Sequence, residues 1–148
     1  MSAAVYHYTF GHKLRIIKED GFLRPTGVNI SPREVPVLWF SRNPQFEQTA
    51  AKAWLQNGMV TLMTHSEMDR MLGIFRFKLI TPDARLYSWM QLQRKARIPP
   101  KTICHMIDEG VKRGARPRDW YGSFVPIPLG SMRLQRWNDP AQEWEFVP

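Results

Sequence analysis

The stretch Val5-Tyr6-His7-Tyr8-Thr9 alternates aromatic and polar side chains and is rich in strand formers, so it reads as a short β-strand over residues 5–9. In a strand, His7 and Thr9 project to one face and Tyr6 and Tyr8 to the other. The next segment is helical in pattern. Over residues 11–20, Leu14 and Ile17 lie three apart with charges on the opposite side, and Gly21 supplies the natural stop. Phe22-Leu23 packs after that turn, and Pro25, Gly27, Pro32 and Pro36 make residues 24–36 an irregular loop.

Working outward, Val37 to Ser41 is a continuous apolar run ending in a polar residue, the pattern of a strand covered on both faces. Asn43-Pro44 offers a capping side chain followed by proline, which predicts a helix carrying Phe46, Ala50, Ala53 and Trp54 on one stripe and stopping at Asn57-Gly58. Met59 to Met63 reads as a strand. Thr64-His65-Ser66-Glu67 is a capping-box pattern opening a helix that ends at Gly73. Ile74 to Thr81 alternates, with Phe75, Phe77 and Leu79 on one face and Arg76 and Lys78 on the other. Residues 86–96 are predicted helical. Beyond Pro99-Pro100, Ile103, Ile107 and Val111 mark one face of a second helix ending near Gly114. Phe124 to Leu129 is extended, and its two prolines confine it to a sheet edge or a loop. Met132 to Trp137 and Glu143 to Val147 are strands joined by Asn138-Asp139-Pro140. The mixed order, without regular βαβ alternation, predicts one α+β domain over residues 1–148.

The composition narrows the class. With 43% hydrophobic residues, including six Trp and eight Phe, 148 residues suffice for a real core. No apolar run is long enough to cross a bilayer, and nothing after Met1 reads as a signal peptide. Cys104 is alone, which rules out an intrachain disulfide and a cysteine-rich zinc site, so a reducing, cytoplasmic setting is expected. The formal charge is +8. Residues 94–118 hold eight Lys or Arg against Asp108 and Glu109, a segment suited to a polyanion.

The sequence contains no dinucleotide-binding glycine pattern, phosphate loop, HExxH or nucleophile elbow. His7 and His12 lack further metal ligands at a workable spacing, and His65 and His105 stand alone. His7 beside Thr9 offers donors and an acceptor to a polar ligand such as a ribose. Glu143 and Glu145 flank Trp144, so in a strand both carboxylates leave one face, available to stabilise a cation or accept a proton.

A strand bearing His-x-Thr, a helix, a second strand ending in Ser, and a late strand bearing Glu resembles the ADP-ribosyltransferase superfamily. The likeness rests on Tyr6-His7-Tyr8-Thr9 with Gly21-Phe22-Leu23-Arg24-Pro25, on Leu38-Trp39-Phe40-Ser41 leading to Pro44, and on the terminal dozen residues. It implies a small split sheet, mixed or antiparallel, with flanking helices, and NAD as the substrate. By resemblance, His7 contacts a ribose, Thr9 helps fix the dinucleotide and Ser41 supports the site. Glu145, or else Glu143, is then the catalytic acid. An aromatic ring would stack on nicotinamide, with Tyr8, Phe40, Phe46 and Trp54 as candidates. Arg15 or Arg24 are candidates to hold the pyrophosphate. The implied reaction moves ADP-ribose to a protein or nucleic-acid acceptor. Two other readings share these residues: a tRNA 2′-phosphotransferase-like enzyme using His7 and arginines, and a non-catalytic nucleic-acid-binding or inhibitor-type module built on residues 94–118.

Overall fold

A computed structural model describes residues 3–27 and 30–148. The chain runs β1 (Ala4–Phe10), α1 (Gly11–Asp20), β2 (Phe22–Leu23), β3 (Leu38–Ser41), β4 (Ala53–Gln56), β5 (Met59–Leu62), α2 (His65–Leu72) and β6 (Ile74–Ile80). It continues through β7 (Leu86–Ser88), α3 (Trp89–Lys95), α4 (Pro100–Lys112), β8 (Trp120–Ser123), β9 (Ile127–Pro128), β10 (Arg133–Asn138) and β11 (Glu143–Phe146). This is an α+β fold. Seven strands form one sheet in the order β11-β10-β6-β1-β3-β8-β7, with every neighbouring pair antiparallel. β2 with β9, and β4 with β5, form two small separate ladders. No helix among the described residues is long and apolar enough to cross a membrane.

Side-chain alternation sorts the core onto the two faces. Val5, Leu38, Phe40, Phe77 and Leu79 pack on the face covered by Leu14 and Ile17 of α1. The other face carries two clusters. Tyr8, Phe10, Ile74 and Trp137 gather around Met68 of α2, while Val37 and Trp120 gather around Trp89 and Leu92 of α3 with Ile103 and Ile107 of α4. Val111 points away and is exposed, so the buried stripe of α4 runs instead through Met106 and Gly110.

Local signals account for most of the ends. Gly21 closes α1 at φ 83° with its amide on the Ile17 carbonyl. Thr64 and Glu67 complete a reciprocal capping box at α2, and Ser88 and Gln91 do so at α3. That second box splits residues 86–96 into a strand and a shorter helix. The prolines at 126 and 128 leave only Ile127–Pro128 to pair, with β2.

The expected helix over residues 43–57 does not form. Asn43 Oδ1 accepts from the Gln45 amide at 3.0 Å, a turn rather than a helix cap. Tyr8 and Arg76 take the Asn43 and Pro44 carbonyls, which a helix would need for its own ladder. A single 3₁₀ turn at Gln48–Ala50 comes next, then the β4–β5 hairpin. Asn57 and Gly58, both at positive φ (49° and 75°), are its two-residue turn. Ala53 and Trp54 therefore lie on a strand.

Candidate functional site

β1 and β3 share one register pair, Tyr6 with Ser41, whereas β1 matches β6 over its whole length. Continuing the β1–β3 register would set His7 against Phe40 and Tyr8 against Trp39. Instead the strands part, and the His7 ring takes up the slack: its Nδ1 donates to the Trp39 carbonyl at 2.7 Å, and the ring meets Phe40 edge-on. That hydrogen bond puts the proton on Nδ1 and leaves Nε2 as an acceptor. Burial pushes the His7 pKa below its ordinary value, against the smaller opposing effect of the Trp39 carbonyl. The ring is therefore neutral near pH 7.

A cavity of about 690 Å³ opens at this seam. Its floor comes from β1 and β3, and one wall is formed by Met106, Glu109 and Gly110 of α4 with Arg113, which caps the helix. Trp39, Phe40 and Trp120 bring aromatic surface to it. Gly110 is required for this closeness: a Cβ there would lie 2.7 Å from the Trp120 ring.

Glu47 also lines the cavity and is buried. One carboxylate oxygen accepts from Ser41 Oγ at 2.9 Å and from Trp120 Nε1 at 3.1 Å. The other accepts from the Thr49 amide at 3.0 Å and the Thr49 hydroxyl at 2.5 Å. All four donors are neutral, and among the described residues Glu47 has no ion-pair partner. It is thus a buried carboxylate held in place by four neutral donors, in a cavity whose lining also includes Arg113.

The residues expected from sequence divide between this cavity and other places. His7, Tyr8, Phe40 and Ser41 line it. Tyr8 contributes ring surface, since its hydroxyl donates to the Asn43 carbonyl and accepts from Arg76; burial pushes its phenol well above the ordinary range. Thr9 is buried but does not line the cavity. Phe46 and Trp54 pack in the cluster around Met68. Arg15 pairs with Glu19, and Arg24 grips Asp20 through two hydrogen bonds of 2.6 and 2.9 Å; neither reaches the site.

Glu143 and Glu145 are not brought to the cavity. β10 and β6 stand between β11 and β1 in the sheet. Trp144 turns inward to Tyr8 and Trp137, so its two neighbours point outward, and Glu145 accepts from Asn138 Nδ2 at 2.6 Å. Of the isolated histidines, His105 lines the cavity, whereas His65 is wedged between Phe46 and Trp137. Sequence reasoning missed Glu47, Glu109, Trp39 and Trp120 as a group. The contact of Glu47 with Trp120 spans 73 positions, which no local pattern carries.

No cluster of three or more metal-ligating side chains occurs among the described residues. Compared with family models, curated protein sequences and solved structures, the chain matches none.

Proposed function

We propose that the cavity between β1 and β3 binds NAD and that the protein transfers ADP-ribose from it to an acceptor, on a split antiparallel sheet of the ADP-ribosyltransferase type. The observation that carries this reading is the buried, hydrogen-bonded Glu47 carboxylate that lines the same cavity as His7, with indole and phenyl rings as walls. NAD presents what such a site accepts: a flat cationic nicotinamide ring and ribose hydroxyls. His7 Nε2 accepts from a ribose hydroxyl, and Trp39 or Trp120 covers the nicotinamide. In cleavage, the nicotinamide–ribose bond breaks and its electron pair leaves with nicotinamide, so positive charge grows on the ribose, as in glycoside hydrolysis. A fixed carboxylate close by stabilises that charge most in the transition state. An acceptor lone pair then bonds to the ribose carbon and the acceptor's proton passes to solvent.

The role expected for Glu145 accordingly moves to Glu47. The test is turnover of labelled NAD by Glu47→Gln and Glu145→Gln, with the melting temperature of each. Glu47→Gln is expected to lose roughly 10²–10³-fold in turnover, and Glu145→Gln to match wild type. Should Glu47→Gln fold poorly, Glu47→Asp keeps the charge and tests its position. Full activity in a folded Glu47→Gln protein contradicts the proposal, as does loss of activity in Glu145→Gln alone.

A further inference from the structure

A second cavity, of about 740 Å³, lies away from the seam, between the loop at residues 31–34 and the junction of α3 with α4. Ser31, Arg33, Gln93, Arg94 and Arg97 line it, and α4 begins at its rim with Pro100. Among the described residues no carboxylate lines it. Among the described residues, none of the three arginines takes part in an ion pair. The nearby acid, Glu34, is turned to the Ser31 amide at 2.6 Å. Ser31 Oγ is buried without a hydrogen-bond partner among the described residues. Among the described residues Ser31 Oγ lacks a partner, and the three guanidiniums are exposed and free of carboxylates, so together they suit a ligand with several negatively charged oxygens.

The backbone adds an independent sign. α3 ends in a Schellman motif, with the Arg97 amide on the Arg94 carbonyl at 3.1 Å and the Ile98 amide on the Gln93 carbonyl at 3.3 Å. The left-handed residue of that motif is ordinarily glycine, but here it is Arg97 at φ 56°. A residue with a Cβ is strained there, where glycine would not be. The strain falls on a side chain that lines the cavity.

We propose that this cavity seats a phosphate of a single-stranded nucleic acid. The choice of a strand over a lone anion rests on the charges beyond the cavity. Lys101 stands in the first turn of α4 and Arg113 caps its far end, where it lines the seam cavity, while Lys112 is paired with Glu109 at 3.7 Å. From Pro100 to Glu109 the helix rises roughly 14 Å. A strand anchored at Arg94 and Arg97 would thus run along α4 toward the seam. The proposal needs no NAD, so its test stands apart from that of the seam.

The experiment measures binding of a fluorescein-labelled single-stranded oligonucleotide by anisotropy, without NAD, across a salt series. The variant is Arg94→Gln/Arg97→Gly. Glycine relieves the left-handed strain, so this protein should melt no lower than wild type while its affinity falls about tenfold or more and its salt slope becomes shallower. The control is Arg15→Gln/Lys18→Gln on α1, which removes the same charge from the opposite face of the sheet and should change affinity less than twofold. Equal losses in both variants would mean a general charge effect and overturn the proposal. Polyglutamate displacing the oligonucleotide at equal charge concentration would also overturn it, since the site would then recognise acidic chains at large. No measurable binding by the wild-type protein at low salt would do the same.

Discussion

The two edges of β1 differ sharply. Against β6 every residue from Ala4 to Phe10 has a partner, so that edge is closed along its whole length. Against β3 one pair, Tyr6 with Ser41, holds the strands together before they part. The full ladder satisfies its backbone internally and leaves nothing for a ligand. On the open edge, the His7 side chain replaces a backbone partner for the Trp39 carbonyl, and the space left over becomes the cavity. One strand is thus scaffold on one side and cavity wall on the other.

Substitutions can pull these two roles apart. The largest loss of stability is expected on the closed side. Leu79 in β6 is buried, so Leu79→Ala should cost ~2–5 kcal/mol in denaturant unfolding. The folded fraction should still bind NAD as wild type does. On the open side, His7→Ala leaves the Trp39 carbonyl without its donor at an expected cost of ~1–3 kcal/mol, with NAD binding lost. If His7→Ala destabilises as much as Leu79→Ala yet still binds NAD, the two edges are not functionally distinct.

The seam should also be the acid-sensitive edge. The folded pKa of His7 lies below its unfolded value of about 6.5, so the unfolded chain takes up the proton first. Stability from this group is complete above the unfolded pKa and falls as pH drops through and below it. His65 shifts in the same direction through burial, which makes the difference between wild type and His7→Gln the informative quantity. Between pH 7 and pH 5 the wild type should lose more stability than His7→Gln. Parallel pH profiles would place His7 in water rather than in the seam. The smallest effect belongs to the far edge: Glu145 is exposed on β11, and Glu145→Gln should move stability by less than ~0.5 kcal/mol.

The sequence was most legible where one local rule decided the outcome. Alternation placed β1 and β6 and sorted His7 from Tyr6 and Tyr8; Gly21 and the Thr64–Glu67 box marked helix ends at their true positions. It misled where a local signal met a distant partner. Asn43-Pro44 with Phe46, Ala50 and Trp54 imitates an amphipathic helix, but Tyr8 and Arg76 capture the carbonyls that helix would need. Asn57-Gly58 was legible as a break, although it is the turn of a hairpin. β8, Trp-Tyr-Gly-Ser, is too short to show periodicity, and its Gly122 is there because a Cβ would come within 2.4 Å of Val37. The candidate site divided in the same way. His7 was singled out by its strand face and neighbours and Ser41 by the resemblance, and both line the cavity. Glu47 was not singled out, because its environment is assembled from Ser41, Thr49 and Trp120 only after the sheet closes.

The seam is tested as an NAD site most directly by titrating the isotope-labelled protein with NAD and watching the imidazole resonances of His7 and His12. His12 lies on α1, outside the cavity, and serves as the internal reference. The His7 signals should shift and saturate while those of His12 stay in place. Unmoved His7 resonances at millimolar NAD, or equal shifts at both histidines, would show that NAD does not occupy the seam.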